Sequence, residues 1–348
     1  MNFDYSEVQQ LLADSVRRFL QDKYGFEQRK KIVEQGGCST DVWKQFAEMG
    51  ILGLPISTEH GGFGGGAVDL MGVMEAFGEA LVVEPVVPTL VAARFLHDSS
   101  LLQAVAEGRL KLAFAHTEKG ARYRQDVVAT KYAGGALTGE KASIVGAPMA
   151  DKLVVSAKDG DRIGLFLVDR PELKSYATLD GMRAADVQLH KVKAEKLAGN
   201  LDAVEEAMDF GAALGCAEAA GAMKFSCDTT LEYLKTRKQF GVPIGTFQAL
   251  QHRIVDMFIA YEQARSMACL ACSKFDNSSD TRERARAISA AKIKIADAAR
   301  HISQEAVQLH GGMGMSEELK VSHAFRRLAV LAAESGDADF HLARFASI

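Results

Sequence analysis

The chain reads as an α+β protein laid out in three stretches: helices, then a strand-rich middle, then long helices to the end. Three changes of pattern predict this. From Ser6 to about Gly108 apolar residues recur at three and four. From about Leu110 to Val192 the period drops to two, or the runs become short and β-branched. From about Asn200 helical spacing returns and persists. The boundaries expected from these shifts are 1–108, 109–197 and 198–348, and 348 residues exceed a single ordinary core.

The elements follow in order. Ser6 can cap a helix carrying Val8, Leu11, Leu12, Val16, Phe19 and Leu20. Asp41-Val42-Trp43 opens another, with Phe46, Met49 and Leu52 beneath it. The run Gly61-Gly62-Phe63-Gly64-Gly65-Gly66 then breaks the chain before a helix of Leu70, Val73, Met74 and Phe77. No strand precedes that glycine run, so a loop needing positive φ is expected rather than a phosphate cradle. In the middle stretch, Leu112–Ala115, Leu153–Ser156 and Ile163–Val168 are short strands separated by turns such as Ala133-Gly134-Gly135, which suggests a small antiparallel barrel or sandwich. Asp202 through Arg237 can form one helix roughly 50 Å long at 1.5 Å per residue. Gly241 and Pro243 end it. A second long helix is expected over 246–275, a third ending at His310, and a fourth from Ser316, together a four-helix bundle.

Composition excludes several classes. The chain is 48% hydrophobic and 25% charged with only 6 prolines, as a well-packed, largely helical protein is. A net charge of −4 argues against nucleic acid as a partner, because phosphate binding needs a clustered basic surface. Five scattered cysteines point to a reducing compartment, and Cys269-Leu270-Ala271-Cys272 lies in an Ala-rich helical run where thiols pack as small hydrophobes. The acidic start Met1-Asn2-Phe3-Asp4-Tyr5-Ser6-Glu7 reads as the beginning of a helix and not as a signal or transit peptide, so a cytoplasmic location is expected. No apolar run approaches the roughly 20 residues of a membrane span. No metal-ligand spacing appears, and no metal site is expected.

Two motifs carry the functional reading. The first is Thr236-Arg237-Lys238-Gln239-Phe240-Gly241-Val242-Pro243-Ile244 with Phe247-Gln248-Ala249-Leu250-Gln251-His252-Arg253; the second is Gln308-Leu309-His310-Gly311-Gly312-Met313-Gly314. Together they resemble the flavin-binding elements of the acyl-CoA dehydrogenase family, and the order helical domain, β domain, helical bundle extends that resemblance over nearly the whole chain. Ile51-Leu52-Gly53-Leu54 with Gly61–Gly64, and Asp180-Gly181-Met182-Arg183-Ala184-Ala185, add to it. The resemblance implies FAD as cofactor, an acyl-CoA thioester as substrate and at least a dimer, by analogy a tetramer, because in this family the Arg-Lys-x-Phe-Gly turn serves the FAD of the neighbouring subunit. The implied grip is Arg237, Phe240, Gln248, Gln308, Gly311 and Gly312. The chemistry suits them: an Arg fork matches pyrophosphate, an aromatic face covers a ring, and glycine lets backbone approach a ligand.

Other family features are missing. The family's Thr-Glu-Pro-Gly-Ala-Gly-Ser-Asp-like loop is here Thr117-Glu118-Lys119-Gly120-Ala121-Arg122, and Ser143 and Val145 stand where the family usually has Trp and Thr. α,β-Dehydrogenation also needs a carboxylate to take the α-proton. Counting from Gly311-Gly312 puts Ser335 at the common position of that Glu; counting back from Phe240 puts Gly211 at the minority position, with Ala212 where an Arg often follows. Glu334 is one residue early, about 100° away on a helix; Asp337 is two late, and Asp209 lies two from Gly211. Three readings stand. In the first, the chain completes the FAD site of a Glu-bearing dehydrogenase-like partner, as the small Glu-lacking subunits of bacterial heteromeric members do; the tail Glu334–Arg344 looks like theirs. In the second, it is a self-sufficient homo-oligomer using Glu334, Asp337 or Asp209. Or it is a flavin-binding scaffold. Arg326-Arg327 reads as a structural ion-pair site, and His341 as a packing residue or one that meets flavin or substrate.

Overall fold

The computed structural model describes residues 5–348; Met1–Asp4, read above as part of the chain's start, lie outside the described residues. The order of elements is α1 (Glu7–Lys23), α2 (Phe26–Glu34), α3 (Thr40–Glu48), α4 (Ala67–Ala80), α5 (Val86–Ala93), α6 (Ser99–Ala106), then β1 (Leu112–Ala115), β2 (Lys131–Ala133), β3 (Ala136–Val145), β4 (Lys152–Asp159), β5 (Arg162–Asp169), β6 (Glu172–Ala177), β7 (Arg183–Lys193) and β8 (Glu195–Leu197). After these come α7 (Leu201–Thr236), β9 (Lys238–Gln239), β10 (Val242–Pro243), α8 (Gln248–Asn277), α9 (Thr281–His310), α10 (Lys320–Ala333) and α11 (Ala338–Ser347). Helix gives way to strand between Ala106 and Leu112, and strand to helix between Leu197 and Leu201.

By contact the chain forms two compact units. One comprises Met1–Arg29, Ala67–Val82 and Ala212–Ile348; the other comprises Lys30–Gly66 and Val83–Gly211. Element type and compactness therefore divide the chain differently: the first reflects local periodicity, the second which faces are buried together.

In the second unit, β1–β8 form one eight-stranded sheet in the order β6-β7-β3-β2-β4-β5-β8, with β1 beside β4. Most pairings are antiparallel, as short turns such as Asp159-Gly160 allow, but β1 and β2 both pair with β4 in parallel. The core over this sheet holds Leu137, Ile144, Leu153, Val155, Phe166, Val168, Val187 and Leu189, and Tyr132 stacks on Phe166 at 4.3 Å between ring centroids. The glycine run is a loop: Gly61 and Gly64 take φ of 82° and 69°, and a Cβ on Gly62 would lie 2.1 Å from the Ile56 carbonyl oxygen.

In the first unit, Ser6 caps α1 in a reciprocal capping box with Gln9. The buried face of α1 is Ala13, Val16 and Leu20, whereas Val8 and Leu11, apolar by sequence, are exposed. Helix α4 touches α7 backbone to backbone. A Cβ on Gly78 would lie 1.9 Å from the Glu218 carbonyl oxygen, and one on Gly221 would lie 1.9 Å from that of Glu75. The carbonyls at the end of α4 are met by distant cations: Lys320 Nζ donates to Glu79 O at 2.6 Å and Arg29 Nε to Leu81 O at 2.6 Å. The C-terminal stretch holds five helices rather than the expected four, because the segment after Ser316 breaks at Glu334-Ser335-Gly336 into α10 and α11. Cys269 and Cys272 lie on α8, Cys272 fully buried and both free thiols. Among the described residues no helix is long and apolar enough to cross a membrane.

Candidate functional site

Helix α7 ends at Thr236 and the chain makes a two-residue hairpin, with Gln239 opposite Val242 and Lys238 opposite Pro243. The two loop residues both have positive φ, Phe240 at 54° and Gly241 at 80°, the combination a tight primed turn requires. Glycine accepts this at no steric cost; phenylalanine does not. The hairpin is held from below: Ile244 N donates to Arg237 O at 2.8 Å and Gln251 Nε2 to Gly245 O at 2.9 Å. Its tip is open. Phe240 is 92% exposed, Arg237 and Gln248 are exposed, and Arg237 has no carboxylate partner among the described residues.

The second motif ends α9. Gly311 has φ of 63°, and a Cβ on Gly311 or Gly312 would meet nothing within 4 Å. Gln308 is exposed, and its carbonyl accepts from Gly311 N. The structure brings the two motifs together through Tyr233, one helical turn before Arg237. Tyr233 stacks on His310 at 4.4 Å between centroids, and its hydroxyl reaches His310 O at 3.4 Å. His310 is thus a buried spacer between the turns, a role the sequence did not reveal. Exposed glycine backbone, a guanidinium without a carboxylate partner and a largely exposed aromatic ring are groups whose chemistry suits a dinucleotide's phosphates and ring.

The position aligned with the family's catalytic Glu has a different character. Ser335 takes φ of 58° and Gly336 φ of 112° between α10 and α11. Three backbone carbonyls of this turn are tied from other helices. Lys292 Nζ, on α9, donates to Leu331 O at 2.8 Å and Glu334 O at 2.6 Å. His341 Nε2, on α11, lies 3.0 Å from Ser335 O; a carbonyl can only accept, so Nε2 carries the proton and Nδ1, at 3.3 Å, accepts from the Ser289 hydroxyl. Burial, together with the nearby Lys292 ammonium, pushes the His341 pKa down to about 3. Burial also lowers that of Lys292. His341 is therefore a packing residue, 1% exposed.

The carboxylates near this turn and near Gly211 are committed elsewhere. Glu334 lies 3.6 Å from Arg327, which is itself locked at 2.6 and 2.8 Å to Glu218. Asp337 caps α11, accepting from Phe340 N at 2.9 Å. Asp209 is only 2% exposed. Arg326 forks onto Glu317 at 2.9 and 2.8 Å, so Arg326-Arg327 is the structural ion-pair site its sequence suggests.

In the sheet unit, the segment matching the family's Thr-Glu loop is used for architecture. Lys141, wholly buried, donates to Glu118 at 2.7 Å, to His116 O at 3.1 Å and to Ser156 Oγ at 3.1 Å. Glu118 also accepts from Ala129 N and Thr130 N at 2.6 and 3.0 Å. Ser143, where the family usually has Trp, occupies a register shift between β3 and β7 with φ of 57°, and its hydroxyl accepts from Tyr176 at 3.1 Å.

Comparison with known proteins agrees with this layout. The models for the acyl-CoA dehydrogenase N-terminal and C-terminal domains match residues 6–98 and 201–347. Acyl-CoA dehydrogenase FadE12 of Mycobacterium tuberculosis is 30% identical, covering 92% of this chain and 90% of its own. Among solved structures, the steroid ACAD variant Tcur3481-Tcur3483 G363A is 27% identical with a TM-score of 0.89, covering 98% of this chain and 97% of that one. PigA solved with FAD and proline is 26% identical with a TM-score of 0.90, covering 100% and 98%. The chain belongs to the acyl-CoA dehydrogenase family.

Proposed function

We propose that this chain is one subunit of a paired acyl-CoA dehydrogenase and completes the FAD site of a second, Glu-bearing dehydrogenase-like subunit. When bound, FAD supplies the acceptor for the β-hydride in α,β-dehydrogenation of an acyl-CoA thioester. This chain's share is to hold it: Arg237 for the pyrophosphate, Phe240 over a ring face, the Gln248 and Gln308 amides as hydrogen-bond partners, and Gly311 and Gly312 for close backbone approach. The expected assembly is a cytoplasmic heterotetramer acting in lipid metabolism.

The observation that carries this reading is the contrast at the base position. Ser335 has no carboxylate, and its turn is fixed by Lys292 and His341. A self-sufficient enzyme would need Glu334 to leave Arg327, Asp337 to uncap α11, or Asp209 to gain access from its buried place. Losing the cap costs about 1 kcal/mol, and Glu334 would have to turn from a guanidinium 3.6 Å away toward the Ser335 position. The half-site role needs neither. A similarity to a two-component steroid ACAD also supports it.

The test uses the chain alone and co-expressed with a Glu-bearing partner. Flavin retention and its bleaching by acyl-CoA should appear together only in the pair. Bleaching by the isolated chain at a rate matching the pair would end this reading. Arg237→Ala should lower flavin content of the pair at least tenfold, the loss expected for about 1.5–3 kcal/mol of charged hydrogen bonding; unchanged content would remove Arg237 from the grip.

A further inference from the structure

A hollow of about 530 Å³ opens on the sheet unit, lined by Pro148, Met149, Arg170, Leu173, Ser175 and Arg183 among others. It is open to solvent along much of its length. Two arginines face it. Several other guanidiniums meet carboxylates: Arg94 with Glu206, Arg124 with Asp126, Arg253 with Glu305, Arg326 with Glu317. Arg170 and Arg183 instead bind neutral oxygens, Arg170 Nη2 to Pro148 O at 2.9 Å and Arg183 Nη2 to Ser175 Oγ at 2.7 Å, and neither has a carboxylate partner among the described residues. Each contact uses one of five N–H donors, orients the fork and leaves its charge uncompensated.

The surroundings keep it so. Asp169, next to Arg170, is paired with Lys152. Glu172 and Lys174 alternate with Leu173 and Ser175 along β6, so they lie on the other face of the strand. The stem of Arg183 occupies space left by Gly37, where a Cβ would approach Arg183 Cγ to 3.0 Å and where φ is 83°. The position is therefore built around this side chain. Between the arginines the wall carries the apolar side chains of Pro148, Met149, Pro171 and Leu173.

We infer that this hollow binds a phosphate-bearing ligand with a flat ring, of the nucleotide class, with Arg170 and Arg183 on the phosphate oxygens. Two guanidinium forks together supply the charge and the several donors that a phosphate's oxygens take, and the apolar wall gives the ring a place to pack. This site does not depend on the half-site reading.

The experiment is calorimetric titration of the whole chain with ADP, inorganic phosphate and adenosine, on wild type, Arg170→Gln, Arg183→Gln, the double variant, and the Arg-to-Lys pair. Saturable ADP binding is expected, with phosphate competing and adenosine far weaker. Each Gln variant should weaken ADP about tenfold or more, as loss of charged hydrogen bonds implies. The Lys pair should recover part of the affinity, since charge returns without the fork. Melting temperature without ligand and flavin retention with the partner should stay unchanged, which separates this site from the FAD grip. Absence of saturable ADP binding at millimolar concentration, ADP affinity unchanged in the double variant, or failure of phosphate to compete would each overturn the assignment.

Discussion

Two turns of this chain share a backbone and differ in everything else. In each, a non-glycine residue in the left-handed region precedes a positive-φ glycine: Phe240-Gly241 after α7 and Ser335-Gly336 after α10. At the first, Phe240 is 92% exposed and a Cβ on Gly241 would meet nothing within 4 Å. At the second, a Cβ on Gly336 would lie 2.5 Å from Phe340 Cδ1 and 2.6 Å from His341 Nε2, and Lys292 and His341 hold the carbonyls. A turn whose polar groups are all used is architecture. The other keeps a left-handed phenylalanine whose ring meets Phe247 edge-on at 6.1 Å and otherwise faces solvent, as the proposed flavin contact requires.

The comparison can be broken most forcefully beside the tied turn. Arg327→Leu leaves the buried Glu218 carboxylate unpaired and removes the cation next to Glu334, and should cost about 3–5 kcal/mol in urea unfolding. A loss below about 1 kcal/mol would mean the region is less interlocked than its distances imply.

Acid should act next. His341 and His116 have folded-state pKa values pushed down to about 3 and about 4, chiefly by burial, against an ordinary 6.5. The unfolded chain therefore binds more protons between those values and 6.5, so stability is complete above 6.5 and falls as pH drops through the window. The slope is at most about 1.4 kcal/mol per pH unit for each group. His341→Gln should shallow that limb when melting is followed against pH. An unchanged slope would show that His341 is accessible to protons in the folded state.

The smallest effects sharpen the contrast. Ser335→Gly relieves a left-handed residue and should raise stability by about 0.5–1 kcal/mol, with no change in flavin content. Phe240→Gly relieves the same conformation, so stability should hold or rise slightly. Flavin retention by the pair should nevertheless drop. If both variants kept flavin equally, the difference drawn between the turns would be lost.

Much of this was legible in the residues. The Ser6 cap, the long α7 and α9 and the glycine turns follow from local rules of capping, period and backbone freedom, and those rules act over a few residues. The two motifs that resemble the family's flavin-binding elements were legible because glycines and an arginine at set spacing are sequence features. The break between α10 and α11 was less so, since the segment after Ser316 reads as continuous and the tie from Lys292 comes from another helix. The exposure of Val8 and Leu11 was hidden for the same reason: periodicity marks an apolar stripe but not how much of it is covered.

The sequence by itself determined the α+β layout, the two family motifs and the absence of Glu at 335 and 211, because these depend on residue identity and short-range spacing. Only the tertiary structure decided what the remaining carboxylates do. Glu334 turns to Arg327, Asp337 to the end of α11, and Glu118 to the buried Lys141, and each choice is made by a charge or backbone group brought near by folding. Burial makes an unpaired charge costly, so each carboxylate takes the partner that the packing of distant segments supplies.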